Sequence, residues 1–404
     1  MDPAVFFNHP VFQLWIFAWK TLLWWYPLLA IYALWKVYFV YIQTKWLKNL
    51  AWCLLEIKIP KEISKSPKAM EVILTQLHQT SEGPLSDRYI KGRTRSWFSL
   101  EMASFGGDIH FYIRTEAKFR NLVESIVYSQ YPGVEVSEAE DYVYRVPFNM
   151  PGSDWEIWGI EFALTKPDAY PIKTYIDYGL DKDPKEEFKI DPLTSVLELL
   201  GSIGPKEQLW VQIPIMAARD RYPKPGHWFK KQSWKDVGKA EIKKLTESEK
   251  KDDLFGKIWR LTPGERAVIE AVEKSLSKYG FDAGYRMLYL APKDYYVGTN
   301  VPRLISSIKQ YGSEDLNGFK PGVTTSFDYP WEDFMNIRLN KLKKRMFRGY
   351  CQRNYFYFPA RSKILIFNTE ELATLYHFPG LVASTPTLDR IASKRGEPPA
   401  NLPI

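Results

Sequence analysis

The side chains that usually carry protein chemistry are sparse in this chain and poorly spaced for it. Its five histidines stand at positions 9, 78, 110, 227 and 377. None belongs to an H-x-x-x-H or similar pair, and neither Cys53 nor Cys351 lies within a few residues of one, which leaves no set of metal ligands to start from. The two cysteines are too far apart in sequence for a redox motif and fit reduced surroundings. No G-x-x-x-x-G-K-[ST] segment is present to cradle phosphates, and no G-x-S-x-G elbow to present a nucleophile. Phe105-Gly106-Gly107-Asp108 has two glycines, but it lies between two alternating runs and reads as a tight hairpin turn. The acidic stretch Glu135, Glu138, Glu140 and Asp141 reads as a solvated strand end. These observations predict a protein that is not an enzyme, with no cofactor and no metal.

One segment has the composition of a binding surface. Between Arg338 and Lys363 stand Arg338, Lys341, Lys343, Lys344, Arg345, Arg348, Arg353, Arg361 and Lys363, interleaved with Tyr350, Tyr355, Phe356, Tyr357 and Phe358. Such a mixture can hold a nucleic-acid backbone and stack on bases, or meet anionic lipid at an inner leaflet. It can equally be a solvated helix followed by a buried strand. The first six of these basic residues are the candidate anionic-ligand surface. The net charge of +8 favours anionic neighbours without choosing among them.

The elements that must position this surface begin with an anchor. From Val11 to Ile42 the only charges are Lys20 and Lys36, and 21–42 is long enough to cross the roughly 30 Å hydrocarbon core. Segment 11–19 is too short to span and is expected to be a separate interfacial or re-entrant helix. Trp15, Trp19, Trp24, Trp25, Trp35, Tyr38, Tyr41 and Trp46 are placed as aromatic belts. Lys45, Lys48, Lys58 and Lys61 follow the span, which predicts a single-pass plasma-membrane protein with its C-terminal region in the cytoplasm. Residues 1–52 form this anchor.

Beyond it the chain reads as α+β. Residues 53–148 follow the order βαββαβ, a ferredoxin-like unit. Its first helix carries Met70, Ile73, Leu74 and Leu77, its second Phe119, Leu122, Val123, Ile126 and Val127. Residues 155–380 read as a second such unit with insertions at about 219–260 and 312–360. Its strands are placed at 157–164, 209–216, 285–290 and 363–367, and Thr262-Pro263-Gly264-Glu265 is a capping box opening a helix. Residues 381–404 form a Pro-rich tail.

Asn368-Thr369-Glu370-Glu371-Leu372-Ala373-Thr374-Leu375-Tyr376-His377-Phe378-Pro379-Gly380 resembles a stretch found just ahead of the motor domain in type IV secretion and conjugative-transfer ATPases of the HerA-FtsK class. The anchor, Lys91-Gly92-Arg93 leading to Trp97-Phe98-Ser99, and Arg395-Gly396-Glu397-Pro398-Pro399 are similar to the membrane-proximal half of such proteins from poorly characterised bacterial lineages. The residues alone explain the same stretch as a capped short helix, with Asn368 and Glu371 as its capping box. In that family a nucleotide-binding motor follows, whereas this sequence stops at Ile404, so the resemblance implies either a motor on a separate polypeptide or a truncated relative. It implies a non-catalytic subunit that docks a P-loop ATPase in trans, with Glu370, Glu371 and His377 as candidate docking residues. The rival expectations are a lipid- or nucleic-acid-binding protein acting through 338–363, and an enzyme with an unrecognised cleft. Membrane lipid, nucleic acid and a second copy of the chain are the other expected partners.

Overall fold

In the computed structural model, the described residues are 10–60, 65–148, 152–181, 190–227, 230–248, 262–327, 331, 333–357, 362–380 and 390–391. The tail predicted at 381–404 lies outside them apart from 390–391, as does 249–261 of the first insertion.

The chain separates into two compact units, residues 1–50 with 81–95, and residues 51–80 with 96–404. The first is built on one helix, α1 (Pro10–Lys48), of 39 residues. Segment 11–19 is therefore not a separate interfacial helix. Nothing between Trp19 and Thr21 breaks the hydrogen-bond ladder, and Pro27 is carried inside the helix. Residues Trp25–Lys48 are long and apolar enough to cross a membrane. Leu28, Leu29, Ile31, Leu34 and Val37 are exposed along that stretch, so its apolar surface is not used for packing within the unit. At about 1.5 Å per residue α1 is close to 58 Å long, so only part of it fits the hydrocarbon core.

The second unit is organised by an antiparallel sheet. Its first four strands are β1 (Trp52–Pro60), β2 (Phe98–Phe105), β3 (Asp108–Glu116) and β4 (Glu135–Glu138). They pair in the order β4-β1-β3-β2, all antiparallel. Gly106 and Gly107 close the β2–β3 hairpin with φ of +64° and +103°, as the turn reading requires. Helix α2 (Lys68–Gln76) follows β1. The short α3 (Leu85–Tyr89) belongs to the first unit. Helix α4 (Arg120–Gln130) follows β3.

The same order returns further along. Strand β5 (Trp155–Leu164) leads to α5 (Thr194–Gly201) and then β6 (Gln208–Ala217). A small hairpin, β7 (Tyr222–Pro223) with β8 (Lys231–Gln232), and helices α6 (Trp234–Ser248) and α7 (Pro263–Ser277) come next. Thr262 and Glu265 form the predicted capping box on α7. Then follow β9 (Gly280–Ala283), β10 (Arg286–Pro292), α8 (Asn300–Ser306) and β11 (Phe319–Thr324). These strands pair in the order β11-β5-β10-β6, again all antiparallel.

Strands β2 and β6 pair with each other, so both halves fuse edge to edge into one large sheet instead of standing as two separate units. The closing strand of the second half also differs from expectation. It is β11, inside the segment expected to be an insertion at 312–360. The strand predicted at 363–367 is β12 (Leu365–Asn368), which pairs with β9. Pro321 and Gly322 give β11 the look of a loop. An edge strand tolerates both, here with a register shift between Pro321 and Val323.

Alternation decides which face each strand residue serves. Leu55, Ile57, Leu100, Met102, Ile113, Val211, Ile213, Met287 and Ile160 face a core shared with α2, α4, α5 and α8. That core also takes in α10 (Thr369–Leu375). The opposite face is covered differently. Leu54, Tyr112, Trp210, Leu288 and Ile157 pack there against Tyr142, Val143 and one amphipathic helix, α9 (Ile337–Cys351). A two-residue strand, β13 (Arg390–Ile391), adds to the end of β1.

Candidate functional site

Across the face under α9 runs a single row of directly opposed residues. Glu56 faces Tyr112, Tyr112 faces Glu101, Glu101 faces Gln212, Gln212 faces Arg286, and Arg286 faces Glu161. Glu101, Gln212 and Arg286 at its centre are buried, so the fold places a line of polar groups across a dry interface. Such groups are costly unless paired.

They are paired, and the pairing reaches up to α9. Just past the end of that helix, Arg353 takes a left-handed backbone (φ +50°), which turns its side chain back down onto the sheet. Its guanidinium meets the Glu101 carboxylate in a fork, Nε to Oε1 and Nη2 to Oε2, both at 3.0 Å. Nη2 also donates to Asp141 Oδ1 at 2.8 Å. Glu101 further accepts from Ser99 Oγ at 2.6 Å, Tyr142 OH at 2.7 Å and Gln212 Nε2 at 2.8 Å. Since Tyr142 gives its proton to Glu101, Tyr350 OH must be the donor in the 2.8 Å bond between the two phenols. Gln212 Oε1 accepts from Arg286 Nε at 2.7 Å, and Arg286 Nη2 donates to Gly349 O at 2.8 Å. The Arg286 guanidinium lies 3.8 Å from Glu161.

The side chains of Glu101 and Arg353 are 0% exposed. Burial by itself would raise the Glu101 carboxyl, but the Arg353 charge and the donated hydrogen bonds bring it down to about 2. A carboxylate saturated with donors and sealed from solvent has no proton to give and no substrate to meet. The network is a latch: it fastens the C-terminal end of α9 to the centre of the sheet, where the two halves join.

Helix α9 is thereby held with one face down and one face out. Lys343, Met346, Phe347 and Tyr350 are buried, whereas Arg338, Lys341, Arg345 and Arg348 are exposed, at spacings of three and four that form one stripe. The sequence-predicted surface thus splits. Lys343 belongs to the buried side, ion-paired with Glu156. Lys344 is half-buried. Lys341, Lys344, Arg345 and Arg348 line a groove of about 380 Å³ whose floor includes Arg286 and Glu161. The groove is therefore cationic, with a single acid. Arg353 and the aromatic residues Tyr350, Tyr355, Phe356 and Tyr357 are buried, so these rings are not available to stack on bases. Arg361 and Phe358 lie outside the described residues. Asp141, expected to be solvated, is instead a partner of Arg353.

The three candidate docking residues are not on the surface at all. Glu371 caps α10, its Oε2 accepting from Asn368 N at 2.8 Å, while Oε1 accepts from Ile172 N at 2.9 Å. Burial pushes its carboxyl up to about 8. Glu370 is paired with Lys274 at 3.2 Å and Lys278 at 2.6 Å. His377 lies between Asp191 Oδ2 at 3.1 Å and Ala373 O at 2.9 Å, one ring nitrogen against each. All three are buried and bind the chain to itself, because the segment that carries them completes the helical core. Among the described residues, no group of three or more His, Cys, Asp or Glu is placed to hold a metal ion.

A family model described as a domain of unknown function, DUF8128, matches residues 43–390. The chain belongs to this DUF8128 family. The matched range takes in both halves of the sheet, the latch and α9. No curated protein matches the chain.

Proposed function

We propose that this DUF8128 protein is a membrane-anchored, non-catalytic scaffold that engages an anionic partner through the exposed face of α9. The observation that carries the reading is the stripe Arg338, Lys341, Arg345 and Arg348, presented on a helix whose other face is fastened to the sheet by the Glu101–Arg353 latch. The strand orders β4-β1-β3-β2 and β11-β5-β10-β6 support reading its two halves as ferredoxin-like units fused through β2 and β6. The apolar span Trp25–Lys48, with basic residues after it, supports a single-pass anchor and a cytoplasmic C-terminal region in the plasma membrane. On the resemblance to type IV secretion and conjugative ATPases, such a scaffold would work beside a separate P-loop ATPase, its partner in trans. Burial of Glu370, Glu371 and His377 moves any docking contact to other residues.

The test uses the full chain in nanodiscs of neutral lipid, immobilised and offered two fluorescent probes, anionic liposomes and a single-stranded oligonucleotide. The proposal expects one of them to be captured and Arg345→Glu with Arg348→Glu to release it. Capture that is unchanged by the double reversal, or no capture of either probe, would overturn it.

A further inference from the structure

We infer that the N-terminal end of α9 is an interfacial membrane contact, at which Trp331, Met335 and Ile337 enter the headgroup layer of an anionic leaflet while the basic stripe binds its phosphates. This rests on the reading of α9 as the anion-binding face and names which anion it meets. Trp331 is 79% exposed, Met335 74% and Ile337 64%, so the apolar side chains at the helix entry are turned outward. At 100° per residue, Ile337 falls on the same side of α9 as Lys341, Arg345 and Arg348, opposite the buried Met346, Phe347 and Tyr350. Ile337 and the basic stripe therefore share one face of α9, with the exposed Met335 and Trp331 just ahead of it in the chain.

The tip is held in place by its own bonds. Met335 and Asn336 both adopt left-handed backbone (φ +56°), a conformation that residues with side chains disfavour. The buried carboxylate of Asp333 accepts from Arg338 N at 2.9 Å and Leu339 N at 2.6 Å, capping the helix across that turn. A strained turn pinned so as to expose Met and Trp fits a binding surface better than a solvated loop.

The side-chain types choose between lipid and nucleic acid. Stacking on bases wants planar rings, but the aromatic residues of 350–357 are buried, and among the described residues the strongly exposed apolar side chains at the helix entry are Trp331, Met335 and Ile337, two of them without a ring. Trp beside Met and Ile, with Lys and Arg one turn further on, is the composition of interfacial helices on anionic membranes. The apolar span in α1 supplies a bilayer to the same molecule.

The test places a polarity-sensitive fluorophore on Met335→Cys in the full chain, reconstituted in nanodiscs of phosphatidylcholine alone or with phosphatidylglycerol. Labelling favours position 335, because Cys53 is buried and burial pushes the Cys351 thiol up to about 12. The inference expects a blue shift and quenching by headgroup-level nitroxide lipids in the anionic discs only. It expects Arg345→Glu with Arg348→Glu to lower the insertion equilibrium by at least about 25-fold. A label that stays in water in both discs would overturn it. So would a label that responds only to added single-stranded oligonucleotide. In that last case, loss of the oligonucleotide response in the reversal variant would leave the anion-binding reading standing. Indifference of every probe to the reversal would remove both.

Discussion

Replacing Glu101 with Gln keeps the size of the side chain and removes the charge that Arg353 answers. A carboxyl lowered from 4.5 to about 2 in a fully buried site corresponds to roughly 3 kcal/mol of stability. The folded value lies below the unfolded one, so this contribution is present above pH 4.5 and disappears as the pH falls from there toward 2. Two outcomes follow for the full chain in detergent, unfolded by urea and followed by Trp fluorescence. At neutral pH, Glu101→Gln should cost about 3 kcal/mol, because it imitates the protonated side chain at every pH. In acid, the variant should lose less stability than the parent by that same amount. The reasoning would be refuted by a neutral-pH loss below about 0.5 kcal/mol, or by identical acid slopes in the two proteins. The first result would mean that Arg353 and Asp141 hold α9 without Glu101.

Three further outcomes follow from named contacts. Gly159→Ala places a Cβ against Met346 Sδ and Leu288 Cδ2, so those two side chains must repack between β5 and α9, at a cost of about 1–3 kcal/mol read by urea unfolding. Asp191→Asn replaces the buried carboxylate that His377 and Leu193 N meet with a neutral amide, and should cost about 1–3 kcal/mol in a urea titration at neutral pH. The Asp191 carboxyl is burdened by burial, but its pairing with His377 holds it below its ordinary value, so the parent loses this contribution as the pH falls through the acid range and the variant does not. Lys343→Met alone strands Glu156 and should destabilise by about 1–2 kcal/mol. Adding Glu156→Gln should recover part of that loss, which a double-mutant cycle reads directly.

Much of the architecture was legible because local patterns governed it. The stripes of α2 and α4, the glycine turn between β2 and β3, and the capping boxes on α7 and α10 are fixed by residues a few positions apart. What escaped depends on pairings between distant residues. The fusion of β2 with β6 leaves no mark within either strand, since both are buried on both faces whatever lies beside them. Strand β11 was hidden by Pro321 and Gly322. The site was half legible. The basic residues of α9 stood out, but exposure sorts them, and only the helical phase relative to Met346, Phe347 and Tyr350 shows that Lys343 belongs inside. Glu101, Gln212 and Arg286 had only a faint signal each, a long polar side chain next to apolar strand residues. Their joining into a row needs the register of four strands. Glu370, Glu371 and His377 looked like surface because they are polar and clustered, yet each had its partner far away in sequence, at Lys278, Ile172 and Asp191.

The central claim, that the outward face of α9 is an anion-binding surface, is tested most directly by removing its charges one at a time. Full-length protein in neutral nanodiscs would be titrated with anionic liposomes after successive substitution of Arg338, Lys341, Arg345 and Arg348 by Gln. The account predicts a graded decline of about fivefold for each charge removed, near 1 kcal/mol apiece, with the fold unchanged in each variant. An affinity that stays flat across the series would contradict it.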